Sequence, residues 1–215
     1  MKKQLGIIIG MTLTVLSLAN GPFEKAMGSA IPVIFTAEDP DNLQAVINKL
    51  ERIGKAEGNR WEPFYYTAFG YIRMSGMSKT NEDKDRYLDL AMEAVTKANG
   101  IQPNDSEITT MEGYVYMLKL TVDPATRGME YSGKAFGSFQ KAVALNPENP
   151  RAHYLLGRMQ HGTAQFMGGT SEEACKSLAT AISIFEKEDK KERSFAPSWG
   201  EDSAIGDSKA LCGKE

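Results

Sequence analysis

The amino-acid sequence predicts an all-α fold in which about seven helices form a stacked array of helical hairpins. Three glycines, Gly70, Gly113 and Gly157, recur at intervals of 43 and 44 residues, each inside an apolar helix pattern. A regular interval of this length is typical of repeat proteins. The second helix of each hairpin carries a small, a large and a small residue at spacings of four and three. No run of alternating apolar and polar residues predicts a competing β-strand.

These triplets mark the places where two helices are expected to cross closely. Small residues permit the close approach, and the large residue fills the gap beside it. The triplets are Ala91, Val95 and Ala98; Ala135, Phe139 and Ala142; and Ala174, Leu178 and Ala181. Pro103 and Pro147 end the first two helices, whereas Glu186 occupies the corresponding position in the third.

The glycine, the triplet and the proline together resemble the tetratricopeptide repeat family. The resemblance covers about residues 61–187 and implies three hairpins in a right-handed α-α superhelix. The interval is longer than the family's usual repeat of about 34 residues, and we place the additional residues between the two helices of each hairpin. Because other helical repeats also reach this length, we describe the array as tetratricopeptide-like.

Sequence patterns also predict the limits of the individual elements. Residues 39–58 are predicted to form a helix that caps the array. Asp39-Pro40 and Asn149-Pro150 are typical helix starts, with a capping side chain before a proline. The predicted helices lie near 40–56, 62–77, 82–100, 105–121, 127–146, 150–167 and 171–188. Residues 20–38 are expected to be a linker, and residues 188–215 an irregular tail because they lack helical periodicity.

The N-terminus has the features of a secretory signal. Lys2 and Lys3 precede the apolar run "LGIIIGMTLTVLSLA", which is short for a membrane span. We expect residues 1–19 to be removed after Ala19, or alternatively residues 1–30 after Ala30. The protein is then periplasmic or extracellular, without stable membrane insertion after cleavage. The alternative is that the apolar run is not cleaved and anchors the protein in the membrane.

Two cysteines, Cys175 and Cys212, are present in the chain. In an oxidising compartment an even number of cysteines favours one disulfide bridge. The alternative is two unpaired thiols, with Cys175 simply buried on a helix.

Few residues suggest catalysis or metal binding. The two histidines, His153 and His161, lie eight residues apart on one helix and point in directions about 80° apart. No zinc-binding, nucleophile-elbow or phosphate-loop motif is present. We therefore expect no enzyme activity, no metal and no cofactor. The formal net charge of −3 disfavours nucleic acid as a partner.

The resemblance implies a binding groove, because the first helices of tetratricopeptide repeats line the concave surface. The implied groove residues are Phe64, Thr67, Tyr71, Met74, Glu107, Thr110, Tyr114, Met117, Arg151, Tyr154, Arg158 and His161. Such a groove is aromatic at one end and cationic at the other, which suits a peptide or helix with an apolar part and an acidic end. Alternatively, these side chains pack against neighbouring helices or against the chain's own tail. Trp199 in that tail is expected to dock on the array, because a large aromatic ring is costly to leave in water; the alternative is a solvent-exposed tail.

These observations predict an exported protein-interaction or scaffolding module that binds a protein or peptide partner, which the sequence does not name. The alternative function is a periplasmic tetratricopeptide-like protein that binds a small molecule or lipid.

The export signal makes the first testable prediction. Protein recovered from a secreting host should begin at Asn20 or, if the second site is used, at Ile31, because the signal is removed during export. Intact-mass analysis measures this directly. Recovery of a membrane-bound chain that retains Met1 would contradict it.

Overall fold

The computed structural model describes residues 21–188 and 195–213, and the predicted signal at residues 1–19 lies outside them. The described residues form nine helices and no β-strand, which confirms the all-α prediction. The helices are α1 (Pro22–Thr36), α2 (Pro40–Glu57), α3 (Glu62–Met77), α4 (Asn81–Ile101), α5 (Ser106–Val122), α6 (Pro124–Leu145), α7 (Pro150–Met167), α8 (Glu172–Phe185) and α9 (Glu201–Cys212). None of these described helices is long and apolar enough to cross a bilayer.

Helices α2 to α8 correspond to the seven predicted helices, and α1 and α9 are additions to the prediction. The expected linker at 20–38 contains α1, and the expected irregular tail contains α9. Helix α1 buries a stripe formed by Phe23, Met27, Ala30 and Ile34. The guanidinium of Arg73 in α3 donates hydrogen bonds to the carbonyl oxygens of Ile34 and Ala37 and so satisfies the end of α1.

The start of each of two predicted helices is capped as expected. The Asp39 carboxylate accepts a hydrogen bond from the backbone N–H of Asn42, and the Asn149 side chain accepts from those of Arg151 and Ala152. Each of these helices also has proline near its first position, where no intrahelical N–H bond is lost.

The additional length of each repeat lies mainly in the helices and not between them. Helix α4 has 21 residues and α6 has 22, while only Asp123 separates α5 from α6. The prediction of long connections inside the hairpins was therefore wrong. The charged stretch "NEDKDRYLDL" forms the first half of α4, within the helix predicted at 82–100.

The repeat glycines lie where helices approach closely. A Cβ atom on Gly113 would stand 2.6 Å from the Phe139 ring, and one on Gly157 would stand 3.1 Å from Leu178, so each glycine meets the large residue of its own hairpin. Gly70 instead faces Ile47 of α2, at 2.6 Å from its would-be Cβ. The first hairpin is thus turned toward the N-terminal helices.

The core consists of two apolar clusters. The larger one joins α1 to α5, and the other joins α5, α6, α7, α8 and α9. All three predicted triplets are buried in this core. Helix α5 contributes to both clusters and connects the two halves of the array.

Substitution of a repeat glycine should destabilise the fold. Gly113→Ala should lower the free energy of unfolding by about 1 to 3 kcal/mol, because its Cβ would press on the fully buried Phe139 ring. Gly137→Ala is the matched control, since it lies exposed on α6 with nothing within 4 Å of its Cβ, and should stabilise the helix by up to about 1 kcal/mol. Chemical denaturation of both variants measures the difference. Equal stabilities would contradict the close crossing.

Candidate functional site

The inner face of the array, formed by α3, α5 and α7, is covered by the chain's own C-terminal segment. We call residues 195–213 the C-terminal strap. The Trp199 ring lies 5.2 Å from that of Phe69 in α3 and 5.9 Å from that of Tyr114 in α5. At the start of the strap, the Phe195 ring meets that of Phe23 edge-on at 5.4 Å. The predicted docking of Trp199 on the array is confirmed.

Hydrogen bonds hold the strap to the aromatic end of this face. The hydroxyl of Tyr66 donates to the carbonyl oxygen of Ala196 at 3.0 Å. The indole N–H of Trp199 donates to the Tyr65 hydroxyl at 2.9 Å. Burial is the main cause that raises the pKa of both tyrosines, so their hydroxyls stay protonated at neutral pH.

Asp207 of α9 holds the strap to the cationic end. It accepts a hydrogen bond from the Tyr154 hydroxyl at 3.1 Å, and the guanidinium of Arg158 lies 3.4 Å away. Burial raises the pKa of Tyr154 to about 12, so this hydroxyl also remains a donor at neutral pH.

Between the two ends lies a buried ion-pair network centred on Arg151, whose surface is 1% exposed. Its Nε donates to both carboxylate oxygens of Glu107, at 2.9 and 3.0 Å. Its terminal nitrogens donate to Glu188 and to the carbonyl oxygen of Trp199. Burial alone would lower the pKa of Arg151, but the two carboxylates outweigh it, and the pKa is raised. The guanidinium therefore stays charged and links α5, α7, the end of α8 and the strap.

A disulfide bridge ties the end of the strap to the last hairpin. Cys175 of α8 and Cys212 of α9 are bonded, with their Cα atoms 5.7 Å apart. The predicted pairing is confirmed, and the alternative of two unpaired thiols is wrong. The bridge closes a loop of 37 residues.

The twelve predicted groove residues do not line an open groove in this structure. Four of them contact the strap directly: Tyr114, Arg151, Tyr154 and Arg158. Glu107 reaches it indirectly, through Arg151 and through the Tyr65 hydroxyl. The buried members are Phe64, Thr67, Tyr71, Met74, Glu107, Thr110, Met117, Arg151 and Tyr154, while Tyr114 and His161 are half-buried and Arg158 is exposed.

In the first hairpin, predicted groove residues of α3 lie against α2. Because Gly70 faces α2, the residues on its side of α3 face α2 as well. A Cβ on Gly54 of α2 would stand 2.7 Å from the Phe64 ring, and the Tyr71 hydroxyl reaches Glu51 of α2 at 3.4 Å. The α3 residues that meet the strap are instead Tyr65, Tyr66 and Phe69.

Three of the predicted residues have other partners. Thr110 donates to the Ser106 carbonyl oxygen and accepts from Asn149. Met117 belongs to the second core cluster. His161 shares a hydrogen bond with Ser171 at 2.8 Å.

The sequence contains one indication of the missed α3 residues. The stretch "WEPFYYTAFGY" is aromatic all around the helix, and a helix that is apolar on every side is buried on every side. This pattern is consistent with α3 packing on α2 and α4 while also meeting the strap.

Three large apolar side chains near the α5–α6 and α7–α8 connections are exposed. We call Met129, Phe166 and Met167 the hairpin-end surface; they are 93%, 92% and 77% exposed. Phe166 lies seven residues beyond Met159, which is buried, so one apolar stripe of α7 runs out of the core into solvent.

A cleft of about 320 Å³ lies beside the strap. It is lined by Phe35 of α1, by Trp199, and by the first turn of α9. The described part of the chain contains no cluster of three or more His, Cys, Asp or Glu side chains placed to hold a metal ion.

The fold defines a tetratricopeptide-like helical-repeat protein, which confirms the predicted architecture. The chain matches no protein-family profile and no curated protein. Among solved structures it is similar to the HusA haemophore from Porphyromonas gingivalis, with a TM-score of 0.78 and 24% identity over 90% of this chain and 94% of that one. It is also similar to TTC0263, a thermophilic TPR protein of Thermus thermophilus, with a TM-score of 0.55 and 16% identity over 77% and 84% of the two chains. Neither is described as an enzyme.

The ion-pair network makes the next prediction. Arg151→Met should lower the free energy of unfolding by about 3 to 5 kcal/mol, because it leaves the Glu107 carboxylate buried without its partner. Arg158→Met is the matched control, since that side chain is 44% exposed and its pair with Asp207 contributes at most about 1 kcal/mol. Thermal and denaturant unfolding of both variants would measure this. A similar small loss in both would show that the Arg151 network does not hold the fold together.

Proposed function

We propose that this protein is an exported binding protein that carries a flat, apolar ligand of the tetrapyrrole class. The observation that carries the proposal is the similarity to the HusA haemophore along nearly the whole of both chains. A haemophore carries haem, which is a flat aromatic ring system with two carboxylate groups. The proposal develops the small-molecule alternative that the sequence left open.

The hairpin-end surface is the part of the molecule we assign to this ligand. Large apolar side chains that are almost fully exposed often mark ligand or protein contacts. Phe166 offers a ring for stacking, and the flexible thioethers of Met129 and Met167 adapt to flat surfaces. Burial of such side chains stabilises a complex by about 1.5 to 3 kcal/mol each.

One described feature supports export, and another bears on the cleavage site. A disulfide bridge is typical of periplasmic and secreted proteins. Phe23, Met27 and Ala30 are buried in the core, so cleavage after Ala30 would remove apolar side chains that α1 contributes. We therefore propose cleavage after Ala19.

A protein-interaction module is the second candidate. It is supported by the tetratricopeptide-like fold, shared with TTC0263, and by an inner face that already holds a peptide segment. Under this proposal the hairpin-end surface contacts a partner protein.

Direct titration tests the tetrapyrrole proposal. The purified, disulfide-bonded chain should bind haem and iron-free protoporphyrin with Kd values of about 1 μM or tighter, corresponding to about −8 kcal/mol. Both ligands should bind with similar affinity, since apolar contact does not require the iron. Absorbance change and quenching of tryptophan fluorescence report the binding.

A matched pair of variants tests the assigned surface. Phe166→Ser combined with Met167→Ser should weaken tetrapyrrole binding at least about tenfold, which corresponds to roughly 1.4 kcal/mol of lost contact. Leu145→Ser is the control, because Leu145 is 39% exposed and lies at the opposite end of α6 from Met129. Absence of saturable binding to the unmodified chain would overturn the proposed function.

A further inference from the structure

We propose that the inner face of the array is a peptide-binding surface that the C-terminal strap closes from within, and that the Cys175–Cys212 bridge is its latch. This surface is separate from the hairpin-end surface. The inference therefore goes beyond tetrapyrrole binding and does not depend on it.

The strap contacts the array as a bound peptide does, through a few anchors at its two ends. The Trp199 ring packs against the rings of Phe69 and Tyr114, and its indole N–H donates to the Tyr65 hydroxyl. Asp207 meets Arg158 at the cationic end. An aromatic anchor and a complementary charge at the far end are the usual means by which an interface selects its partner.

Helix α9 itself contributes little to the core. Ala204 is its one residue classed as buried, and most of the others remain partly or fully exposed. Segments with little buried apolar surface are those that open most readily in the native state. The strap is thus positioned to leave while the array stays folded.

The array keeps its central ion pair without the strap. Arg151 donates to both oxygens of Glu107 and to Glu188, and among its acceptors the strap supplies the Trp199 carbonyl oxygen alone. Departure of the strap would uncover Tyr65, Tyr66, Phe69 and Tyr114 together, beside Arg158. Contiguous aromatic side chains with a cation at one end form a surface suited to a protein segment.

The bridge makes the strap a strong competitor for this surface. The backbone already attaches the strap at its N-terminal end, and the bridge attaches its C-terminal end as well. Attachment at both ends raises the effective concentration of the strap at the inner face, so a free peptide is excluded while the latch is closed and competes better once the strap is held at one end only. An external dithiol opens the latch by exchange. It gives two electrons and two protons to the S–S bond, Cys175 and Cys212 become thiols, and the dithiol becomes a disulfide. Both cysteines are half-buried and not enclosed in the core.

The strap indicates the kind of partner that fits. It presents an aromatic residue between a proline and a glycine, in "APSWG", followed by a short helix with an aspartate eight residues after the tryptophan. We infer that the partner is an acidic protein segment with one exposed tryptophan or tyrosine followed by a carboxylate at a similar distance.

A synthetic fluorescein-labelled peptide with the sequence of residues 195–208 is the probe. Its anisotropy is measured with the full chain in three states: disulfide-bonded, reduced by a dithiol, and disulfide-bonded with Trp199→Ala and Asp207→Ala in the strap. The double variant weakens the strap but leaves the receiving face of α3, α5 and α7 intact. Both opened states should bind the probe at least about tenfold more tightly than the closed chain.

Probe variants provide the specificity control. A peptide with Trp199→Ala or Asp207→Asn should bind the opened chain several-fold less tightly, and added salt should weaken the unmodified probe more than the Asp207→Asn probe. Far-UV circular dichroism and thermal melts establish that each opened state is folded. The proposal is overturned if folded, opened chains bind the probe no more tightly than the closed chain, or if both opened states are unfolded, since the strap is then part of the core. Haem titration of the same samples reports on the proposed function independently.

Discussion

The buried guanidinium of Arg151 is the constraint on which the arrangement of the second half of the molecule depends. A charge with 1% exposure is tolerated only when its donors are satisfied, because removing an ion from water costs several kcal/mol. Its partners come from α5, from the residue that follows the last repeat, and from the strap. The two carboxylates must therefore stand in one position relative to α7, whereas the strap adds only a carbonyl acceptor. Replacing an ion pair of this kind by apolar residues can leave stability unchanged, so we expect its main effect here to be the register of α7 against α5 and the residue after the last repeat.

The repeat core could be predicted from the sequence because close helix crossings require small residues at fixed intervals, and this pattern is visible in the sequence. Gly113 and Gly157 stand against Phe139 and Leu178 as the intervals and triplets indicated. Helix α9 has no such pattern, because its one buried residue, Ala204, does not make a periodic apolar stripe. Helix α1 does carry an apolar stripe, but the stripe closely follows the apolar run that we predict to be an export signal, and Pro32 lies within it. Both helices were therefore assigned to irregular segments.

Of the residues predicted for the inner face, Tyr114 on α5 and Tyr154 and Arg158 on α7 contact the strap, whereas Phe64 and Tyr71 on α3 meet α2. Sequence spacing assigns residues to one side of a helix, but it does not say which neighbour that side meets. On α3 that neighbour is α2, because Gly70 receives Ile47 of the preceding helix. The chemistry of the surface was nevertheless informative. An aromatic end and a cationic end were expected to select an apolar segment with an acidic end, and the strap has that character through Trp199 and Asp207.

The molecule thus has two candidate binding surfaces, one covered by the chain's own strap and one exposed. The inner face is satisfied by the chain itself and held closed by a covalent bridge. The hairpin-end surface has Phe166 and Met129 almost wholly exposed, and it is where we expect a carried ligand. This division gives separate physical grounds for ligand binding and for partner binding in one small array.

The central claim is that the chain's own strap fills the inner face, and hydrogen exchange of the Trp199 indole N–H tests it most directly. In the disulfide-bonded protein this proton is bonded to the Tyr65 hydroxyl, so it should exchange far more slowly than a free indole and show nuclear Overhauser contacts to the rings of Phe69 and Tyr114. Exchange at the rate of a free indole, without those contacts, would contradict the account.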